Sequence, residues 1–390
     1  MDGLDIKRNT FSYSWLIMEL AVIFSVFSQI ETIERFTRPV MYILWILAFL
    51  HGIIKNHGKL AISIFSQRFI LVYITFIIYC GIIGLIDSEH LSVNYIRVMF
   101  VPLLVSIIGE MYADEDRELF NRLGKIYLIC AVIFAFWVQT TYFPSYTSWL
   151  SNTIYLFKEK NSAGQIWVSA IFVTFLLVEY KTKIFRIIAY IASIYLLIMT
   201  GISQCRTALL GVSIAILAFA IYRANHKIRW LAVIAAIAIA VWKIPVTHQF
   251  IEQALFLNKY SGSDLNTFSS GRIELYRKAL INFESSPIIG VGSYYVDCSY
   301  IMIATESGLI GLILIESIWL QKIVKCFQFK GAKRENIFFF MMATFYIIES
   351  ILEGYPPFGP GVSSFMFWLL TSVYYSKNKI LIGDTKSEQY

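Results

Sequence analysis

The sequence predicts an all-α, polytopic transmembrane helical bundle of about twelve spans, with one long helical loop outside the membrane. Composition points there first. Of 390 residues, 57% are hydrophobic and 16% aromatic, whereas only 15% are charged. A soluble domain carries about 25% charge, so the polar surface is too small to coat a body in water. The same arithmetic excludes disordered, collagenous and small disulfide-stapled chains. Apolar runs then recur along the chain, most of them close to the roughly 20 residues a spanning helix needs. Finally, two thirds of the 33 Lys and Arg residues fall on alternate inter-span segments, the asymmetry that sets orientation in a membrane.

The first run, 12–30, follows Lys7 and Arg8 and contains Glu19. It lacks the basic start, short apolar run and small-residue cleavage site of a signal peptide, so it is expected to stay in the membrane. The run 39–54 ends at Lys55, Lys59 and Arg68; 69–86 and 94–111 lead to Arg117, Arg122 and Lys125. Next, 126–143 and 164–179 flank an outside loop and end at Lys181, Lys183 and Arg186. The pair 185–201 and 207–222 ends at Arg223, Lys227 and Arg229, and 229–245 leads outward again. The run 299–320 returns to Lys322, Lys325, Lys330, Lys333 and Arg334; 337–352 and 362–376 end at Lys377, Lys379 and Lys386. All these basic segments are expected on the cytoplasmic side, with both termini. The chain therefore divides into spans one to nine over 1–245, an outside loop over 246–298, and spans ten to twelve with a cytoplasmic tail over 299–390. No internal repeat is evident, which weakens a transporter built of two related halves.

Within the long loop, VTHQFIEQALFLNKY reads as an interfacial amphipathic helix. After a polar stretch, a second helix is capped by Ser269 or Ser270 and carries a stripe of Ile273, Tyr276, Leu280 and Phe283. Glu274 and Lys278 form an i,i+4 pair, Pro287 ends the helix, and Gly290 and Gly292 punctuate the return to the membrane. The net charge of +7 reports orientation; no basic stripe with interleaved aromatics suggests nucleic acid. Five cysteines show no CxxC or metal spacing. Cys205 and Cys298 can both face an oxidising compartment, but the expected state is the free, buried thiol.

Several residues carry potential chemistry. Arg206, in SQCRTALLG at an outer span mouth, reads on position alone as a snorkelling anchor. Arg272, in the first turn of the loop helix, reads alone as a solvated residue that gains nothing from the helix dipole. Together, two arginines and a helix N-terminus make an anion site. KNSAGQ places Lys160 and Asn161 where an outside loop re-enters the membrane. In VDCSYIMIATESGLIG, Asp297 lies at the membrane surface and Glu306 about two turns into the span, where it pairs with an arginine or does chemistry. Glu19, Arg97, Glu110, Glu316 and Glu349 sit near span ends, where snorkelling accounts for them. Glu353 and Tyr355, in EGYPPFGPG, cap a rigid outside turn that could wall a sugar-binding cleft. There is no Walker loop, HExxH, Gly-x-Ser-x-Gly or nucleotide-sugar domain, so an activated donor arrives attached to something in the membrane.

In order, KNSAGQ, SQCRTALLG, GRIELYRKALINFESSPIIGVG and DCSYIMIATESGLIG resemble the O-antigen polymerase and ligase superfamily of bacterial inner membranes. These motifs cover residues 160–312. The resemblance implies a GT-C-like glycosyltransferase that needs no metal or cofactor. Its donor and acceptor are undecaprenyl-diphosphate-linked oligosaccharides, and its neighbours are membrane lipids and a chain-length regulator and flippase of the same pathway. The family's two diphosphate-holding arginines fall on Arg206 and Arg272. Lys160, Asn161, Tyr276, Glu353 and Tyr355 are then expected to bind substrate, with Asp297 as catalytic base and Glu306 as the alternative. Ligases usually begin the span after the long loop with a His-Asn pair; here Asp297 and Cys298 occupy those positions, which favours the polymerase (Wzy) branch. An O-antigen ligase is the close alternative; a lipid-linked oligosaccharide flippase or a structural scaffold is more distant.

Overall fold

The computed structural model describes residues 13–56, 64–86, 93–115, 117–149, 160–176, 178–179, 182–223, 225–255, 266, 269, 271–354, 358 and 363–387. Among these residues every regular element is a helix. In order they are α1 (Tyr13–Phe27), α2 (Glu34–Lys55), α3 (Ile64–Ile86), α4 (Val93–Met111), α5 (Arg117–Tyr142), α6 (Tyr146–Trp149) and α7 (Lys160–Leu176). There follow α8 (Lys183–Ile202), α9 (Arg206–Tyr222), α10 (Lys227–Lys243), α11 (Pro245–Leu255), α12 (Arg272–Ser285), α13 (Ser299–Gln328), α14 (Lys333–Leu352) and α15 (Phe365–Ser387). Each apolar run of the sequence falls on a helix. Among the described residues five helices are long and apolar enough to cross a membrane: α2, α5 from Glu118 onward, α8, α13 and α14. Shorter apolar helices at Trp15–Phe27, Ile70–Leu85, Pro102–Met111 and Arg206–Tyr222 accompany them. The chain is a multi-pass helical membrane protein.

Trp45, Tyr127, Trp167, Phe345 and Trp368 are fully buried in one core that joins α2, α5, α7, α14 and α15. The opposite side of α8 exposes Ile184, Ile188 and Ile191, the apolar surface that lipid rather than water covers. Glu19 is no snorkelling residue: it forms a 2.7 Å ion pair with Arg122 of α5, whose guanidinium also lies over the Trp15 ring. All five cysteines are free, Cys205 and Cys298 being buried.

The loop region departs from its expected form in two ways. First, α13 is not a smooth span. Gly308 takes φ 64°, ψ −170° inside it, a left-handed φ that a side chain resists. The break releases the carbonyls of the preceding turn, and the segment after Pro287 takes them up. Val291 N–H donates to Thr305 O (2.9 Å) and Gly292 N–H to Glu306 O (3.1 Å). On the other side of the kink, Leu309 N–H donates to Pro287 O (2.9 Å). The loop thus completes the backbone bonding that the kink interrupts, as buried polar groups require. A Cβ at Gly308 would sit 2.1 Å from Ile288 O, and one at Gly290 would sit 2.3 Å from Glu306 O, so the sequence pairs two glycines where two backbones touch.

Second, α12 presents a different face inward. Ile273 and Leu280 are exposed, while Ala279 is buried and Tyr276 and Phe283 are half-buried. The inward stripe is Arg272, Tyr276, Ala279 and Phe283, at helical spacing. Its N-terminus is bonded from the preceding loop: Asn266 Oδ1 accepts from Glu274 N–H (3.0 Å) and Ser269 Oγ from Ile273 N–H (3.4 Å). Ser270 lies outside the described residues.

Candidate active site

The C-terminal end of α14 begins the site. Glu349 and Glu353 stand one turn apart on one face, and Glu353 N–H donates to Glu349 O (2.8 Å). On α7, Asn161 and Gln165 have the same i,i+4 spacing, so the two helices meet as a ladder with two rungs. Asn161 Nδ2 donates to Glu353 Oε1 (2.9 Å), and Gln165 Nε2 donates to Glu349 Oε2 (2.8 Å). Glu349 is fully buried and Glu353 only 5% exposed. The expectation that Glu349 snorkels is thereby overturned, because its carboxyl points into the bundle.

The chain beyond α14 turns sharply at Gly354, where a Cβ would meet Val296 O at 2.5 Å. That close approach lays residues 295–298 beside Glu353, and Ser299 Oγ ties the two segments by donating to Gly354 O (2.8 Å). Arg272, at the start of α12, then bridges them. Its Nη2 lies 2.9 Å from Glu353 Oε1 and its Nε 3.2 Å from Asp297 Oδ2. One turn along α12, Tyr276 OH donates to Asp297 O (2.6 Å), and Tyr295 OH donates to Asp297 Oδ1 (2.8 Å). Asp297 is therefore fixed by three groups.

Arg206 arrives from another direction. Gly164 of α7 lies against α9, a Cβ there being 2.9 Å from both Cys205 and Ala208. This contact sets the two helix starts side by side, with Cys205 Sγ donating to Lys160 O (2.8 Å). Arg206 opens α9 and comes within electrostatic range of Lys160, as do Arg272 and Glu353. Burial pushes the Lys160 ammonium down to about 8; the two arginines add to the depression and Glu353 opposes it. Burial also pulls the Arg272 pKa down, but Glu353 and Asp297 outweigh it and the net shift is upward. Burial raises the Glu353 carboxyl, with Arg272 opposing. At the loop end of the bundle Arg272 thus holds two carboxylates, with Lys160 close to Arg272 and Glu353 and Arg206 beside Lys160.

Lys160, Asn161, Arg206, Arg272, Tyr276, Asp297 and Glu353 accordingly come together. Glu306 sits at the α13 kink, 8% exposed, where its Oε1 accepts from Tyr294 N–H (3.0 Å). Tyr355 lies outside the described residues. Sequence reasoning missed Glu349 and Gln165, although the matched i,i+4 spacing of Asn161 with Gln165 and of Glu349 with Glu353 is written in the sequence.

Residues 191–316, about a third of the chain, match the protein family described as O-antigen ligase (Wzy_C). The matched stretch runs from α8 into α13 and contains Arg206, Arg272, Asp297 and Glu306. Among curated proteins no similar sequence was found. The match supports the O-antigen polymerase and ligase superfamily, and with it a part in O-antigen or related glycan polymerisation or ligation.

Proposed function

We propose that the protein polymerises lipid-diphosphate-linked oligosaccharide repeat units into an O-antigen or capsule-like polysaccharide. In this reading twelve helices cross the bacterial inner membrane, both termini are cytoplasmic, and the reaction takes place on the periplasmic face. One observation carries the proposal: Arg272 is held between Asp297 and Glu353, next to Lys160 and Arg206.

The reaction would be an inverting displacement. A hydroxyl at the non-reducing end of one lipid-linked unit attacks the anomeric carbon of the donor glycan. The new carbon–oxygen bond forms as the bond to the undecaprenyl diphosphate breaks, and its electron pair leaves with the diphosphate. Arg206, Arg272 and Lys160 stabilise that growing charge in a site already polarised for it. The hydroxyl proton passes to a carboxylate, for which Asp297 is the candidate and Glu306 the alternative. Arg272 pairs with both Asp297 and Glu353; a diphosphate that takes the guanidinium frees Asp297 to accept the proton. Asn161 and Glu353 line the acceptor side, with Tyr276 holding Asp297; Tyr355, two positions after Glu353 in the sequence, is a further candidate for binding substrate. The energy comes from the donor's own diphosphate linkage.

The matched family's description favours a second reading, transfer of finished glycan to a lipid A core acceptor. Asp297 and Cys298, standing where ligases resemble one another in a His-Asn pair, favour the polymerase. Purified protein given only lipid-linked repeat units should lengthen them without ATP and with EDTA present. Product formed solely when lipid A core is supplied would establish the ligase instead.

A further inference from the structure

The Gly308 kink brings a further acid to the loop end of the bundle. On a straight helix Glu316, 18 positions after Cys298, would lie about 27 Å from it at 1.5 Å per residue. Instead Glu316 comes within electrostatic range of both Cys298 and Tyr300. Tyr300 also meets Trp319, one turn beyond Glu316, and Ser350 of α14. The two halves of α13 therefore fold toward each other at Gly308, and Glu316 lies on the inner side of the bend. The aromatic rings agree. Trp319 packs 6.2 Å from Phe358, four positions after the Gly354 turn that lies against Val296. Cys298 is within electrostatic range of Arg272 as well, so it is a common neighbour of Glu316 and the Arg272 cluster.

This setting overturns the expectation that Glu316 snorkels, because the residue is turned into the bend and half-buried there. Among the described residues no hydrogen bond or ion pair holds its carboxyl. An acid within a span is costly unless its oxygens are satisfied, and a carboxylate can only accept. The group that suits it brings O–H or N–H donors. Access runs along α13, where the neighbouring Ile313 and Leu320 are 67% and 62% exposed. Tyr300, also half-buried, offers an aromatic ring in the same bend. A carboxylate near an aromatic ring matches a sugar: hydroxyls donate to the oxygens in charge-assisted bonds, and the C–H face covers the negative face of the ring.

We propose that Glu316 and Tyr300 form a sugar subsite in the bend of α13, which holds a residue of the glycan adjacent to the one that reacts. The subsite rests on the glycan reading of the Arg272 cluster: a chain whose diphosphate end is held by Arg272 extends past Cys298, and Glu316 meets it there. It selects the repeat unit, since a carboxylate that pairs with a sugar hydroxyl discriminates against a sugar lacking it. Trp319, only 3% exposed, packs the bend and leaves sugar contact to Tyr300.

The test uses the full-length protein in detergent. The probe is the repeat-unit oligosaccharide of the producing cell, released from its lipid, with binding followed by the unfolding midpoint and by tryptophan fluorescence. Glu316→Leu should weaken binding of this oligosaccharide at least about tenfold, the loss expected for a charged hydrogen bond. The same variant should raise the midpoint of the sugar-free protein, because it removes an acid that nothing in the chain pairs. Weaker sugar binding in a more stable protein is a combination that misfolding cannot produce. With lipid-linked units, Glu316→Leu should raise KM and leave kcat little changed, the mark of a group that binds without taking part in the chemistry. Oligosaccharide affinity equal in Glu316→Leu and wild type would overturn the proposal. So would a wild-type protein that ignores the sugar and is stabilised by sodium or calcium in a Glu316-dependent way. Wild-type protein that binds the sugar through Glu316 but does not elongate lipid-linked units would remove the polymerase reading and leave the subsite standing. Elongation with KM and sugar affinity unchanged in Glu316→Leu would do the reverse.

Discussion

Removing Arg272 separates what it does for the fold from what it does for the reaction. The Arg272 side chain is 18% exposed and that of Glu353 only 7%, so this ion pair is largely out of water. Breaking a buried pair by deleting one partner costs about 3–5 kcal/mol, because the other charge is left uncompensated. Asp297, at 24%, is reached by water and still has Tyr295, so Arg272→Ala should fall near the low end, about 3 kcal/mol. Adding Glu353→Gln removes the orphaned charge and keeps an oxygen for Asn161. The double variant should recover about 1–3 kcal/mol of the loss. The rate should behave differently. A lost oxyanion-type donor costs about 10²–10³ in rate, and neutralising Glu353 does not replace it. Arg272→Lys, which keeps the charge but cannot reach both carboxylates as a fork does, should rescue only in part. Unfolding midpoints of detergent-purified protein and elongation rates on lipid-linked units measure the two effects. A double variant that regains both stability and elongation would show that Arg272 supports the fold and does nothing in the chemistry.

Three further outcomes follow from the same geometry. Lys160 has its ammonium pushed down to about 8 from 10.5, so elongation should decline as pH rises through about 8, and Lys160→Arg should carry activity to higher pH. Between those two values the unfolded chain holds the extra proton, so this residue's contribution to stability should rise with pH; an elongation profile identical in Lys160→Arg would remove its charge from the mechanism. Gly308→Ala, whose Cβ would meet Ile288 O at 2.1 Å, should lower the unfolding midpoint and cost at least about 1–3 kcal/mol, whereas wild-type stability would mean that the kink is not needed. Reporter fusions at Lys55, Lys181 and Lys330 should read cytoplasm and those at Ser148 and Ser263 periplasm; a cytoplasmic Ser263 would put the candidate site on the wrong face.

Most site residues legible in the sequence share one property. Arg206, Lys160, Asn161 and Asp297 are polar groups at the borders of apolar runs, where a membrane makes polarity expensive and therefore informative; Arg272 instead stood out at the start of the helix in the long loop. Glu353 showed itself through the Pro- and Gly-rich turn beside it. Glu349 was hidden by the same rule, because a lone acid near a span end is equally well explained by snorkelling. Only its partner Gln165, nearly half the chain away, distinguishes the two, and that pairing is tertiary. The α13 kink was hidden for a related reason: SGLIG reads as ordinary apolar span, and Gly308 is forced out of the helix by a loop segment that supplies the missing hydrogen bonds. On α12, periodicity found a stripe but not its direction. An outside helix next to a membrane has apolar residues on more than one side, and Arg272, rather than Ile273 or Leu280, anchors the inward face.

The most direct measurement of the central claim is the glycan profile of cells that lack this protein. A polymerase predicts glycans one repeat long, still attached to their lipid core. Full-length polymer that accumulates unattached would contradict the account and establish a ligase, and loss of all repeat-bearing glycan would point to a flippase.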